Sequence, residues 1–223
     1  MSDHSAQRRF PRYQIQLPLL HKTIPPVPVK FGVGWTRNVS EGGTCVELSE
    51  RFPPMTPLRV SLQTDQGAIE VETKVVWMGD RAEERGGILH GLAFTQVADD
   101  QLQTIRKLIL SKGQVRESGV RLPLRISVSC RAKEQSGLSL QGWTGDMSRG
   151  GLSLSLPQPL LPGTSVEITL HTPRGPLTAE GVVVWVRQQD PRAPGELLWH
   201  GIRFTALSWT TTLSLGLYLA EPL

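Results

Sequence analysis

The chain has 223 residues, 39% of them hydrophobic, with 24 Lys+Arg against 20 Asp+Glu and a formal net charge of +4. That content supports a buried core and excludes a disordered chain, while the small charge excess permits an anionic partner without the dense basic stripe of a duplex-DNA binder. Two cysteines, Cys45 and Cys130, are too few for a disulfide framework or a zinc site; no uncharged run reaches the ~18 residues of a membrane span, and MSDHSAQRRFPR lacks the apolar core of a secretory signal, so a cytoplasmic protein with reduced thiols and no membrane span is expected.

In chain order, the first feature is a basic run, Arg8-Arg9-Phe10-Pro11-Arg12. Residues 13–20 contain a strand-like stretch, and a further strand ends at Trp35-Thr36. Short apolar or alternating runs follow at 44–48, 58–62, 69–77 and 88–95, separated by turn signals such as Pro53-Pro54 and Asp65-Gln66-Gly67. Residues 98–110 place Leu102, Ile105, Leu108 and Ile109 on one helical face, with Asp99 and Asp100 at the end where the helix dipole favours acids. The pattern then starts again: strands at 121–129, 152–156, 165–170, 177–186 and 198–205, and a helix over 206–220. This last segment carries no charge. Ser208 can cap it, and its apolar residues are not confined to one stripe, so it wants burial on more than one side. Packing between two domains, a homodimer through this helix and a loosely packed tail all remain open.

The two halves are copies. GWTRNVSEGG at 34–43 returns as GWTGDMSRGG at 142–151, an offset of 108 residues, and Val75-Val76-Trp77 returns as Val183-Val184-Trp185 at the same offset. His90-Gly91-Leu92-Ala93-Phe94-Thr95 returns as His200-Gly201-Ile202-Arg203-Phe204-Thr205 at 110. Three blocks in one order predict two domains, 1–111 and 112–223. The fold class is mainly β: two small antiparallel β-barrels, each followed by a C-terminal helix, closure removing exposed strand edges.

Two features carry candidate chemistry. One is the arginine run ahead of the first strand, which alone reads as a solvated basic terminus or as a cationic clamp. The other is the turn Asn38-Val39-Ser40-Glu41-Gly42-Gly43. Together they resemble the PilZ domain, the bacterial cyclic di-GMP receptor module with a split-barrel fold. Arg8 to Arg12 match its RxxxR arm, and Asn38, Ser40 and Gly43 match its [D/N]xSxxG turn. The resemblance extends to the late Val-Trp strand, the Gly91 to Phe94 strand and the following helix. The second copy fits as well, so the chain looks like a tandem PilZ protein.

The resemblance implies that Arg8, Arg12, Asn38, Ser40 and Gly43 bind cyclic di-GMP, with Arg9 adding charge beside the phosphates. The chemistry agrees. A guanidinium forks onto guanine O6 and N7 or onto phosphate oxygens, and stacks flat on a base. Asn38 and Ser40 offer short polar groups to a guanine edge. Gly43 is expected to take a backbone conformation closed to other residues and to let the ligand approach.

In the second copy Asp146, Ser148 and Gly151 keep the turn, which reads equally as a plain tight turn. The arm is less clear. Aligning Leu122-Pro123-Leu124 with Leu17-Pro18-Leu19 sets Gly113 and Glu117 opposite Arg8 and Arg12 and places Arg121 and Arg125 inside the first strand; one inserted residue recruits Lys112 and Arg116 instead. Arg116 is the arm candidate, and Lys112 lacks the planar fork. The first copy is expected to be the better receptor.

The remaining candidates are structural. Trp35 and Trp143 are expected to pack on the barrel or to flank a base, Trp77 and Trp185 to lie in the core, and Cys45 and Cys130 to be buried. Gly91 and Gly201 have a backbone role. His90 and His200 have no metal-spaced partner, and no metal site or cofactor is expected beyond the ligand. Arg37, opposite Gly145, can serve a ligand in the first copy only. No phosphate loop, carboxylate pair or Ser-His-Asp set stands out, so an enzyme is not expected. The function expected is a cyclic di-GMP receptor acting on a protein partner that controls motility, exopolysaccharide, pili or gene expression. The alternative is an interaction adaptor whose PilZ-like domains bind no nucleotide. A nucleic-acid partner is not expected.

Overall fold

The computed structural model describes residues 9–81, 86–113, 120–134, 139–188 and 198–220. The chain divides into two compact units, Met1–Val120 with Gly216–Leu223, and Arg121–Leu215. In the first unit β1 (Pro18–Thr23), β2 (Phe31–Ser40), β3 (Gly43–Leu48), β4 (Pro57–Thr64), β5 (Gly67–Arg81) and β6 (Ile88–Gln96) form a closed antiparallel barrel in the order β1-β2-β3-β6-β5-β4. The alternation in β4 shows how the sequence builds it. Leu58, Val60 and Leu62 are buried while Arg59, Ser61 and Gln63 stand between them, because successive side chains of a strand point to opposite faces. β4 and β5 meet at Gly67, whose φ of 115° suits glycine, and Gly175 repeats the turn at the same angle in the second copy.

Of the four register shifts in the ladders of this barrel, two re-aim side chains beside the turn and the late strand. The β2–β3 register shifts between Thr36 and Asn38, and the β5–β6 register shifts between Val75 and Trp77. The extra residues are Arg37 and Val76, and a bulge re-aims side chains at a sheet face. Helix α1 (Asp99–Lys112) follows the barrel. Gln101 reaches back to accept the Ala98 N–H at 3.0 Å, Ile105, Leu108 and Ile109 are its buried face, and the Gly113 N–H closes on the Ile109 carbonyl at 2.8 Å.

The second unit repeats the barrel with β8 (Ser127–Ala132), β9 (Ser139–Ser148), β10 (Gly151–Leu156), β11 (Ser165–Thr172), β12 (Gly175–Gln188) and β13 (Leu198–Ala206), closed by pairing of β9 with β10. A two-residue strand, β7 (Leu122–Pro123), pairs with β9 at Met147 and Asp146. The first unit has a single bridge there, Tyr13 to Val39. Helix α2 (Trp209–Ala220) starts at Ser208, whose Oγ accepts the Thr211 N–H at 3.0 Å.

Hydrogen bonds fix which residues of the copies correspond. Thr36 Oγ1 donates to the Ile15 carbonyl and accepts from the Leu17 N–H at 2.8 Å; Thr144 Oγ1 donates to the Leu124 carbonyl and accepts from the Ile126 N–H at 2.8 Å. Ile15 therefore matches Leu124, and Arg12 matches Arg121. This overturns the alignment of the two Leu-Pro-Leu triplets. The letters agree, but Leu122-Pro123 is the lead-in strand on β9, whereas Pro18 and Leu19 open the barrel strand β1. Arg121 and Arg125 precede the barrel strand β8 rather than lying inside it.

Candidate ligand-binding site

The first barrel carries an open cavity of about 200 Å³ on its outer face. Its floor is strand. Trp77 lies flat across Gly91, so close that a Cβ there would sit 2.0 Å from the indole Nε1, and Val76 stands outward on its bulge. Its rim is the arm and the turn: Arg9, Phe10 and Arg12 on one side, Ser40, Gly42 and Gly43 on the other. The Phe10 ring rests on Gly42, where an added Cβ would meet Cδ2 at 2.7 Å, and the Arg9 guanidinium sits 5.3 Å from that ring. Arm and turn are thus held together by an aromatic contact before any ligand is considered.

The cations are available. Arg9 and Arg12 are exposed, and among the described residues neither makes an ion pair. Arg37 approaches the buried Glu47 carboxylate at 3.9 Å. Burial pushes the Cys45 thiol above its ordinary range, with the Arg12 and Arg37 charges opposing it. Asn38 uses its side-chain oxygen to accept the Cys45 N–H at 3.3 Å, which leaves its amide N–H groups to donate to an acceptor edge such as guanine O6 or N7. Ser40 spends its proton on the Gly43 carbonyl at 2.9 Å and keeps lone pairs.

Gly43 has a different reason from the one expected. Its φ is not in the left-handed region; a Cβ there would lie 2.2 Å from the Leu92 carbonyl oxygen, so glycine is needed for the close approach of β3 to β6. Gly151 repeats this at 2.1 Å from the Ile202 oxygen. Arg8 lies outside the described residues.

The second barrel keeps the floor and changes the rim. Trp185 lies on Gly201 as Trp77 lies on Gly91, and the Ser148 hydroxyl donates to the Gly151 carbonyl at 3.3 Å. Asp146, however, is taken: Arg121 Nε and Nη2 bond its Oδ1 at 2.8 and 2.7 Å. Among the described residues no ring covers Gly150, and nothing lies within 4 Å of its Cβ position. The place of Arg37 is Gly145, overlain by Trp199. Arg116 lies outside the described residues.

Two further expectations change. Trp77, taken as core, is 37% exposed and forms cavity floor, because its neighbour Gly91 has no side chain and the indole folds onto the outside of the barrel. Trp35 and Trp143 are not equivalent: Trp35 is 1% exposed, whereas Trp143 is 43% exposed beneath the Arg125 guanidinium. Sequence reasoning missed Phe10, Gly42 and Trp77 as site residues. The signal was present in the paired Trp and His-Gly blocks of both copies, which mark a ring packed on a glycine. His90 and His200 are buried, and each accepts a backbone N–H at Nε2, from Phe52 at 3.1 Å and from Leu160 at 3.0 Å. Among the described residues no group of His, Cys, Asp and Glu is placed to hold a metal, and no helix is long and apolar enough to cross a membrane.

Compared with family models, the chain matches the PilZ domain twice, over residues 6–111 and 114–220. The chain belongs to the PilZ family. Among solved structures this PilZ protein is similar to the Bacillus subtilis inhibitor of motility MotI/DgrA, with 12% identity and a TM-score of 0.40 over 91% of this chain and 94% of that one. It is similar to Borreliella burgdorferi PlzA in complex with c-di-GMP, with 12% identity and a TM-score of 0.39 over 96% of each chain. One PilZ unit is similar to the PilZ domain of Escherichia coli YcgR with c-di-GMP, with 16% identity and a TM-score of 0.40 over 47% of this chain and 90% of that one. No curated protein sequence matches this PilZ chain.

Proposed function

We propose that this PilZ protein is a cyclic di-GMP receptor without catalytic activity, and that its first barrel holds the principal site. One observation carries the proposal: two exposed arginines of the arm, Arg9 and Arg12, converge with the Ser40–Gly43 turn on one cavity floored by Trp77. Cyclic di-GMP presents phosphates and guanines on a compact ring. Arg12 and Arg9 supply forked cations for either, Asn38 donates to a guanine edge, and the arm's own ring packing lowers the ordering cost of closing over the ligand. Arg8, which lies outside the described residues, joins this set only through the RxxxR spacing of the family motif. Ligand closure changes the surface that a protein partner meets, which is how messenger level passes to an output such as motility, exopolysaccharide, pili or gene expression. The uncharged α2 is the expected seat of self-association, read by sedimentation with and without ligand.

Calorimetric titration with cyclic di-GMP tests the proposal. Saturable binding is expected in the intact chain, weakened at least about tenfold in Arg12→Ala, as loss of a charge-assisted contact predicts. The urea midpoint of that variant is expected to stay in place, because Arg12 carries no ion pair among the described residues. Undetectable binding at high micromolar ligand would overturn the receptor reading and leave the adaptor role as the alternative.

A further inference from the structure

We propose that the end of the first barrel away from the β2–β3 turn is a docking face for an anionic lipid surface. In this antiparallel barrel the β1–β2 and β3–β4 connections leave at the end opposite that turn. They are tied into one surface: the Ile24 N–H donates to the Pro57 carbonyl at 3.1 Å, and Lys30 Nζ donates to Glu50 Oε2 at 2.7 Å. Three large apolar side chains project from it, Val29, Phe31 and Met55, each more than half exposed. Pro25, Pro26 and Pro28 are exposed in the same connection as Val29.

The second barrel shows that the fold does not require these side chains. Phe31 pairs with Lys22 where Ser139 pairs with Arg131. The Met55 N–H donates to the Val75 carbonyl at 2.8 Å, where the Gly163 N–H donates to the Val183 carbonyl at 2.8 Å. Both positions are left-handed, with φ 74° at Met55 and 92° at Gly163. Glycine suits that conformation, whereas methionine is strained in it and here leaves a large apolar chain in water. The connection Ile24-Pro25-Pro26-Val27-Pro28-Val29-Lys30 stands against Lys133-Glu134-Gln135-Ser136-Gly137-Leu138 in the second copy. The apolar face therefore belongs to the first barrel alone and has a purpose other than folding.

Its backbone and its charges fit lipid. An apolar medium penalises backbone donors that have no partner. In the β1–β2 connection three prolines have no N–H at all. The Thr23 N–H donates to the Lys30 carbonyl at 3.0 Å, Ile24 to Pro57, and the Lys30 N–H to Thr23 Oγ1 at 2.7 Å, while that hydroxyl donates to the Pro28 carbonyl at 2.6 Å. Only the N–H groups of Val27 and Val29 remain in this stretch. Lys22 holds its ammonium 5.1 Å from the Phe31 ring, so a cation and an apolar ring lie at one depth, as a headgroup boundary requires. Lys22 and Arg51 are exposed and make no ion pair among the described residues, whereas Glu50 and Glu72 are already paired with Lys30 and Arg59. Lipid phosphates supply anions for the two free cations.

The docking face does not rest on the cyclic di-GMP reading. Its test is cosedimentation of the full chain with vesicles of phosphatidylglycerol and phosphatidylcholine, and with vesicles of phosphatidylcholine alone. Binding to the anionic vesicles is expected, at least about fivefold weaker to the neutral ones and weakened by added salt. Phe31→Ser and Met55→Gly place at each position the residue type the second barrel carries there, and each is expected to lower vesicle affinity at least about threefold. Leu161→Ser removes an exposed leucine of the second barrel and is expected to change nothing, which separates this face from general stickiness. The urea midpoint and the cyclic di-GMP titration of Phe31→Ser are expected to stay in place, and glycine relieves the backbone at position 55, so neither variant loses vesicles through loss of fold. The proposal is overturned if the chain binds anionic vesicles no better than neutral ones, if Phe31→Ser and Met55→Gly bind as the intact chain does, or if Leu161→Ser weakens binding as much as they do. An acidic protein segment would then be the occupant to seek.

Discussion

Asn38 and Asp146 occupy the same turn position, and one atom separates their roles. The carboxylate of Asp146 ties down Arg121, whereas the amide of Asn38 offers Arg12 no charge to pair with. Because the Arg121–Asp146 pair is partly exposed, Arg121→Ala is expected to cost less than about 1 kcal/mol in urea unfolding. His21 shows the opposite situation. It is 3% exposed, its ring stands edge-on to Phe52 at 5.3 Å, and among the described residues neither ring nitrogen has a hydrogen-bond partner. Burial lowers its pKa to about 4, with the His90 ring adding to the effect and Glu50 opposing it. Burial also lowers His90 and His200. A histidine with a depressed folded pKa stabilises the fold while neutral. That contribution is complete above its ordinary value of 6.5 and is lost as pH falls toward about 4. Melting temperature is therefore expected to drop across that interval, and less steeply in His21→Cys, cysteine being the residue at the matching position 130. Equal slopes in the two proteins would remove His21 from the account.

At the scale of elements, the turn is anchored on both sides. Its Glu41 binds Arg106 of α1 through Nε at 2.9 Å and Nη2 at 2.8 Å, and its Gly43 lets β3 run against β6. Gly43→Ala forces a Cβ onto a carbonyl oxygen, so a loss of roughly 1–3 kcal/mol is expected from chemical denaturation, the range for overpacking. Gly151→Ala is expected to match it, since its contact is the same. Ser208→Ala removes the hydroxyl that caps α2 and is expected to cost about 1 kcal/mol. The bulges at Arg37 and Val76 recur at Gly145 and Val184. The backbone device is thus duplicated while the side chain it aims has diverged, cation in one copy and glycine in the other.

At the scale of the whole molecule, each unit buries one thiol. Cys130 is fully buried in β8, and burial alone pushes its pKa to about 12; Cys45 is buried in β3. Neither is expected to react with a thiol reagent in the folded chain at mildly alkaline pH, and both are expected to react in denaturing urea. Rapid labelling of Cys130 in the native protein would contradict a closed second barrel. The sequence by itself determined the duplication, the β class, the two helices and the arm and turn of the first copy. These are local facts: period-two alternation, turn residues and a repeated string are all carried by neighbours along the chain. Only the tertiary structure decided that Arg121 matches Arg12, that Trp77 floors a cavity, and that Gly43 serves a close approach. Each depends on which strand lies beside which, and cross-strand register brings together residues tens of positions apart that no local pattern links. The matching Leu-Pro-Leu letters misled for the same reason, since hydrogen-bond partners, not neighbouring letters, fix a residue's place in a barrel.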